Sequence, residues 1–183
     1  MKVFQLRADS EKYASLEFMS ETDSKAVLRC FDGTPLAKNW VPLEMTRSAS
    51  VEEHDLDLSD FPALLSASAP VFSRRAWETL APLIHDQSEE LPFVVRAEDF
   101  VLLNVLQIAD ALDEANSEVM RFSDGRIMDV ERYVFHPDVV SGLTIFKIPQ
   151  MRRSHVMVTE PFVEAVRGAD LKGFDFELLW GRT

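Results

Sequence analysis

The C-terminal block, residues 143–180, constrains the fold more than any other stretch of this sequence. Residues 143–148 and 155–158 are rich in β-branched and apolar side chains, which predicts two strands joined by the polar turn PQMRRS. Thr159 stands where a helix N-cap is expected, before apolar residues at helical spacing. Gly173 then closes the connection into a final strand, FDFELLW. The block therefore predicts strand, turn, strand, capped helix and strand.

An earlier stretch repeats this layout. In VFSRRAWETLAPLI, Ser73 can cap a helix that Pro82 should kink or shorten, and the strand-like LPFVV follows. Each copy has a strand end, a Ser or Thr cap, a short amphipathic helix and a strand. Two related α/β lobes would explain the echo, and so would chance similarity between common strand–helix–strand units. The sequence leaves both explanations open.

Short apolar segments predict the remaining strands. LPFVV and FVLLNVL are dense in β-branched and apolar residues, so we expect both inside a sheet. Pro42 would place a strand at an edge. The other predictions are strands at 2–6, 14–19 and 26–31, an edge strand at 40–45, a hairpin around SDGR within 119–135, and a turn at 136–142. We expect an α+β fold with a mixed, largely antiparallel sheet and two or three short helices.

Composition indicates one globular domain over residues 1–183, with sub-lobes 1–70 and 71–183 left open. Apolar residues make up 46% of the chain and charged residues 27%. The apolar run at 100–103 is far too short to span a bilayer, and the N-terminus turns charged before a signal-length segment could form. We therefore expect a cytoplasmic protein. The single cysteine, Cys30, is expected to be a half-buried packing residue.

The charge is large and unevenly placed. The chain has 31 acids and 19 bases, a net charge of −12, which argues against nucleic acid or an anionic membrane as a direct ligand. The excess lies within residues 48–120, where fifteen acids face three bases, while the rest of the chain is balanced. Such a segment is either a solvated face or a docking surface for a basic partner.

No motif with catalytic or ligand-binding specificity is present. The sequence lacks a GxSxG elbow, a convincing Cys–His pair and a glycine-rich phosphate loop. His54, Asp55 and Asp57 are better explained as solvated charge than as a metal site. We therefore predict no catalytic residue, no cofactor and no metal. A small hydrolase that uses an unrecognised carboxylate pair remains a lesser alternative.

Three segments carry a family resemblance: FVLLNVLQIADALDEANSE, GRIMDVERYVFHPDVVSGLTIFKIP and VMVTEPFVEAVRGADLKGFDFELLW, with VFSRRAWETL as a weaker match. In these the chain resembles the bacterial polymorphic-toxin immunity proteins of family eleven. The resemblance covers roughly the last half of the chain. It implies a cytoplasmic, non-enzymatic protein of bacterial competition that binds a cognate toxin and blocks it stoichiometrically.

The charge map suggests where such a partner would bind. A toxin with a basic surface, a nuclease for example, would meet the acidic connections. The candidate toxin-binding residues are Glu52, Glu53, Asp55, Asp57, Asp60, Asp86, Glu89, Glu90, Asp110, Asp113 and Glu114. The alternative is an acidic ligand-binding or regulatory module without catalytic activity. The sequence also leaves open whether the chain forms a homodimer.

Overall fold

The protein has an α+β fold, which confirms the predicted class. The computed structural model describes residues 1–20, 30–48, 55–65, 69–95 and 99–181. Its strands are β1 (Val3–Ala8), β2 (Leu16–Phe18), β3 (Leu43–Arg47), β4 (Val71–Ser73), β5 (Ser88–Val95), β6 (Phe100–Val105), β7 (Glu118–Arg121), β8 (Ile127–Arg132), β9 (Ile145–Phe146), β10 (Met157–Thr159) and β11 (Phe174–Trp180). Its helices are α1 (Arg74–Ile84), α2 (Pro137–Val140) and α3 (Glu160–Gly168), and short 3-10 turns lie at Ala37–Asn39 and Pro149–Met151.

The strands form two larger sheets and one separate hairpin. The first sheet has the order β11-β1-β10-β9 and is antiparallel throughout. The second has the order β2-β3-β5-β6-β4, and its β3–β5 pair is parallel. Strands β7 and β8 pair only with each other among the described residues; we call residues 118–132 the hairpin. The sheets are therefore mixed and largely antiparallel, as predicted.

The two strand–helix–strand stretches have the same topology. In the first unit, α1 connects β4 to β5, and β6 lies between these strands, antiparallel to both. In the second unit, α3 connects β10 to β11, and β1 lies between them, again antiparallel to both. The echo in the sequence thus corresponds to a repeated three-dimensional arrangement. An origin by duplication stays a prediction.

The two helices share the main hydrophobic core. The Arg75 guanidinium, in the first turn of α1, donates a 2.6 Å hydrogen bond to the carbonyl of Ala169, just beyond the end of α3. The core combines both helices with one face of each larger sheet. Its buried members include Leu6, Phe72, Ala76, Leu80, Ile84, Leu103, Val105, Val158, Phe162, Val163 and Val166. Burial of these side chains holds the units together.

Two further clusters cover other parts of the molecule. One packs Phe146 and Met157 of the first sheet with Val130 of the hairpin. The other packs Leu91 and Leu102 of the second sheet, with a contribution from Phe31. All six side chains of β6 are buried, as expected for an interior strand. Strand β5 is also interior in the sheet, but its Val94 is 55% exposed, so one of its faces is only partly covered.

The helix caps differ between the units. Ser73 caps α1 as predicted, because its hydroxyl accepts a 3.1 Å hydrogen bond from the Ala76 amide. Thr159 occupies the N-cap position of α3, but its side chain makes no cap bond. Its hydroxyl instead donates to the Leu143 carbonyl at 2.6 Å. The N-cap position is therefore as predicted, but the Thr159 hydroxyl bonds to Leu143 instead of to the first turn of α3.

Several other local predictions need correction. The strand after Pro42 begins at Leu43 and is not an edge strand, because β2 and β5 flank it. Of the predicted strand 26–31, residues 26–29 lie outside the described part of the chain, and Cys30 and Phe31 are not in a strand. The predicted turn at 136–142 contains helix α2, which starts at a proline suited to a first helical turn. The strand predicted at 143–148 shortens to β9.

Candidate functional site

The first group of predicted binding residues precedes β4. Glu52 and Glu53 lie outside the described residues. Asp55 and Asp57 are exposed on the connection that leads toward the first unit. The Asp57 carbonyl accepts a 3.0 Å hydrogen bond from the Ala14 amide, so the backbone is tied down while the carboxylate faces solvent. Asp57 is thus an exposed acid whose backbone is held within the fold.

Asp60, in the same group, is bound from three sides within the protein. Its carboxylate accepts hydrogen bonds from the Ser73 hydroxyl at 2.7 Å, the Arg75 guanidinium at 3.0 Å and the Lys172 amide at 2.8 Å. The side chain is only 11% exposed. These contacts join the start of α1 to the loop after α3. Asp60 therefore contributes to the structure of both units.

The second group, around the start of β5, combines an exposed acid with paired ones. Asp86 is 86% exposed and lies 3.1 Å from His85. Glu90 lies 2.9 Å from the Arg74 guanidinium, which also contacts Asp99 at 3.2 Å. These two carboxylates raise the pKa of Arg74, the larger contribution coming from Asp99. One arginine thus offsets two acids, and this surface stays negative.

Glu89, unlike Asp86 and Glu90, bonds to groups packed on the second sheet. Its carboxylate accepts hydrogen bonds from the amides of Leu36 and Ala37 at the start of a 3-10 turn. The Asn104 side-chain amide donates to it at 2.8 Å. Asn104 is fully buried, and its Oδ1 has no hydrogen-bond partner among the described residues. Glu89 therefore holds the segment around residue 36 against β6.

The third group leads into the hairpin. Asp110 is exposed. Asp113 accepts a 2.7 Å hydrogen bond from the Asn116 side chain, and this bond lowers the pKa of Asp113. Glu114 bridges Arg121 of β7 at 2.7 Å and Gln150 at 2.8 Å, and the hydrogen bond from Arg121 does most to lower the pKa of Glu114. Asp113 thus lies at the base of the hairpin, where its amide donates to the Val134 carbonyl, and Glu114 lies beside the turn end.

The hairpin carries an exposed apolar surface that the sequence did not single out. Met120, Phe122 and Met128 are 37%, 48% and 44% exposed. Phe122 lies beside the tight turn, and the Arg126 guanidinium lies 5.4 Å from its ring centroid. The sequence contains one indication of this surface, a phenylalanine within the polar run RFSDGR. A turn provides few neighbours that could bury such a ring.

A cleft separates the hairpin from the edge of the first sheet. It has a volume of about 290 Å³ and is lined by β8, β11, Gln5 and His155. On its wall the Tyr133 hydroxyl lies 3.4 Å from His155 Nδ1. Burial raises the pKa of Tyr133 to about 12 and lowers that of His155, so both are neutral at pH 7. The charge of the cleft comes from residues such as Asp129 and Glu177.

A buried lysine joins the two larger sheets. Lys147 follows β9, is 1% exposed and donates a 2.7 Å hydrogen bond to the Phe31 carbonyl. Its backbone pairs with Gln107 and Ala109 after β6. Burial lowers the pKa of Lys147 to about 8, an effect that nearby Asp32 partly opposes. Sequence patterning could not identify this lysine, because nothing local distinguishes it from a surface residue.

The candidate acids therefore fall into groups with different surroundings, and the structure brings together Asp113 and Glu114 beside the hairpin. Asp57, Asp86 and Asp110 expose their carboxylates, whereas Asp60 and Glu89 are hydrogen-bonded within the protein.

The described part of the chain contains no group of three His, Cys, Asp or Glu side chains that could hold a metal ion. Among the described residues, no helix is both long and apolar enough to cross a membrane.

The hairpin, the third group of acids and helix α3 lie within the region that matches a known family. Residues 92–179 match the model of the immunity protein family Imm11. This match to Imm11 covers just under half of the chain and includes β6, the hairpin, α3 and nearly all of β11. It confirms the resemblance seen in the sequence, and it associates the chain with toxin immunity. No curated protein gives a significant match.

Proposed function

We propose that this protein is a non-catalytic immunity protein that binds a cognate bacterial toxin and neutralises it by stoichiometric inhibition. The observation that carries the proposal is the Imm11 match over residues 92–179. Inhibition in this form requires a stable scaffold and an exposed recognition surface. The core shared by the two units is consistent with a stable scaffold. The exposed acids around it are consistent with a recognition surface.

The charge distribution supports a toxin with a basic surface. The exposed carboxylates of Asp57, Asp86 and Asp110 extend from connections whose backbones belong to the fold. An acidic surface attracts a basic partner over several ångströms and raises the rate of association. A nuclease would supply such a basic surface in its substrate cleft, and the immunity protein would then occupy the place of nucleic acid.

The direct test is co-expression with the product of the adjacent upstream gene in a host that the product harms. We expect growth to be rescued and the two proteins to co-purify in equal amounts. Failure of both results would overturn the proposal. If charge steers the complex, its affinity should also fall as salt rises from about 50 to 200 mM.

Charge variants test the binding residues themselves. The combined change Asp57→Asn, Asp86→Asn and Asp110→Asn should lower the association rate and flatten the salt dependence. The matched control is the combined change Glu11→Gln, Asp138→Asn and Glu164→Gln, because it also removes three exposed acids but takes them from outside the acidic segment. An unchanged association rate in the triple variant would exclude these acids as the steering surface.

A further inference from the structure

We propose that the hairpin is the element that inserts into the toxin, with Phe122 as its apolar anchor. The inference rests on the proposed function and assigns that function a contact surface. The occupant is the cognate toxin, which should present an apolar depression bordered by lysine or arginine side chains.

The first support is the concentration of exposed apolar side chains on the hairpin. Met120 lies on β7, Met128 lies on β8 and Phe122 lies at the start of the turn between them, and among the described residues this hairpin pairs with neither larger sheet. Large apolar side chains that lie exposed close together often mark an interaction site. Aromatic anchors of this kind supply much of the binding energy in protein interfaces.

The second support is that the hairpin is held in a fixed shape. Along its length, Val130 is buried in a core cluster against which Val119 and Ile127 also pack. At its tip, the Phe122 amide donates to the Arg126 carbonyl at 2.9 Å, and the Gly125 amide donates to the Phe122 carbonyl at 3.0 Å. An anchor on such a frame loses little conformational entropy on binding.

The third support is charge. Each arginine of the hairpin is held by a carboxylate: Arg121 by Glu114, Arg126 by Asp124 and Arg132 by Glu118, at 2.7, 2.8 and 2.8 Å. Two further acids of β8, Asp129 and Glu131, have no ion-pair partner among the described residues. Together with Glu114, the hairpin therefore carries five acids against three arginines, and this net negative charge complements a basic partner. Asp129 and Glu131 lie on its side that lines the cleft beside β11.

The same charge argues against a second copy of this chain as the occupant. Another copy would bring a net charge of −12 and the same uncompensated acids. Like charges placed across an interface oppose association. The hairpin also continues from the acidic group at Asp110, Asp113 and Glu114, which ties the apolar anchor to residues already expected to contact the toxin.

The test compares binding of purified variants to the upstream gene product after its toxic activity has been abolished by mutation. Phe122→Ala should weaken binding by roughly 30-fold or more. Glu131→Gln should mainly lower the association rate. Leu83→Ala is the matched control, since Leu83 is 39% exposed but lies on α1, and it should leave the affinity unchanged.

The outcomes separate this inference from the proposed function. If the wild-type protein does not bind the toxin, the proposed function fails. If the wild type binds and folded Phe122→Ala binds equally well, the function stands and the hairpin assignment is overturned. If Phe122→Ala instead dissociates a dimer of this chain without changing toxin affinity, the occupant is a second copy and the inference is overturned as well.

Discussion

The first and second units share a topology but expose opposite edges. In the first unit β3 covers the strand that follows the helix, and the strand before the helix is at the sheet edge. In the second unit β9 covers the strand before the helix, and β11 is left at the edge beside the cleft of the hairpin. The local sequence thus produces the same unit twice. The strand added beside each unit, β3 or β9, decides which strand of that unit is left at the sheet edge.

At two pairs of corresponding positions, one unit has a large side chain where the other has a smaller one. When the Ser73 and Thr159 positions are superposed, Phe72 corresponds to Val158, and Ala76 corresponds to Phe162. The first unit therefore places its aromatic ring on the strand and the second places it on the helix. Both rings enter one core, 6.4 Å apart between centroids. Such complementary sizes fill a shared interior without overpacking.

The largest predicted effect tests whether the units form one cooperative structure. Phe72→Ala and Phe162→Ala should each cost about 3–5 kcal/mol of unfolding free energy, because both rings are fully buried. In urea denaturation, the double variant should show a coupling of about 0.5–1.5 kcal/mol between the two losses. Two separate transitions would mean that the units fold independently, whereas strict additivity would mean that the two rings do not interact.

The next effect concerns Lys147, where the two sheets meet. Since its folded pKa of about 8 lies below the usual 10.5, the unfolded chain binds more protons between these values. Stability should therefore rise by about 2–3 kcal/mol from pH 7 to pH 10. Lys147→Met should lose this rise in urea denaturation. The raised pKa of Tyr133 acts in the opposite direction, but only above about pH 10.

A smaller effect separates the two caps. Ser73→Ala should cost about 1–2 kcal/mol, because it removes the helix cap and the hydrogen bond to Asp60. Native-state hydrogen exchange at the Ala76 amide should accelerate. Thr159→Ala removes no hydrogen bond to the equivalent amide, that of Phe162, and should leave its exchange rate unchanged. Local acceleration at Phe162 would show that Thr159 caps α3 after all.

The smallest effect should be equal in both units. Glu78 and Glu164 occupy corresponding exposed positions on α1 and α3. Replacing either with alanine should change stability by no more than about 0.5 kcal/mol in thermal or urea denaturation. A clear difference between the two variants would show that the helix surfaces are not equivalent.

The sequence predicts each unit because its signals are local. Caps, helical spacing and the final strand lie within a few residues of one another, and periodicity reports them directly. The order of strands is different. Strand β1 lies between β10 and β11 from the opposite end of the chain, and no nearby residue encodes that pairing. Edge and interior strands were therefore confused at β3.

The candidate site shows the same limit. Asp57 and Asp60 are three residues apart in one acidic run, yet one is exposed and the other accepts three hydrogen bonds. Phe72 and Phe122 each precede a serine, yet the first is fully buried and the second is 48% exposed. The sequence gives the number of acids and aromatic rings. Whether each one is exposed to a partner depends on the hydrogen-bond donors and packing surfaces that the fold brings to it from distant parts of the chain.

The placement of β1 sets an order of events during synthesis. The strands and helix of the first unit are close together in the chain, so that unit can form while translation continues. Strand β1 leaves the ribosome well before β10 and β11, the two strands between which it lies, and can pair only once both are made. At typical elongation rates this wait lasts roughly 10–30 seconds. During that interval the apolar segment VFQLRA is a natural substrate for chaperones, and the second unit can form only once the last strand is made.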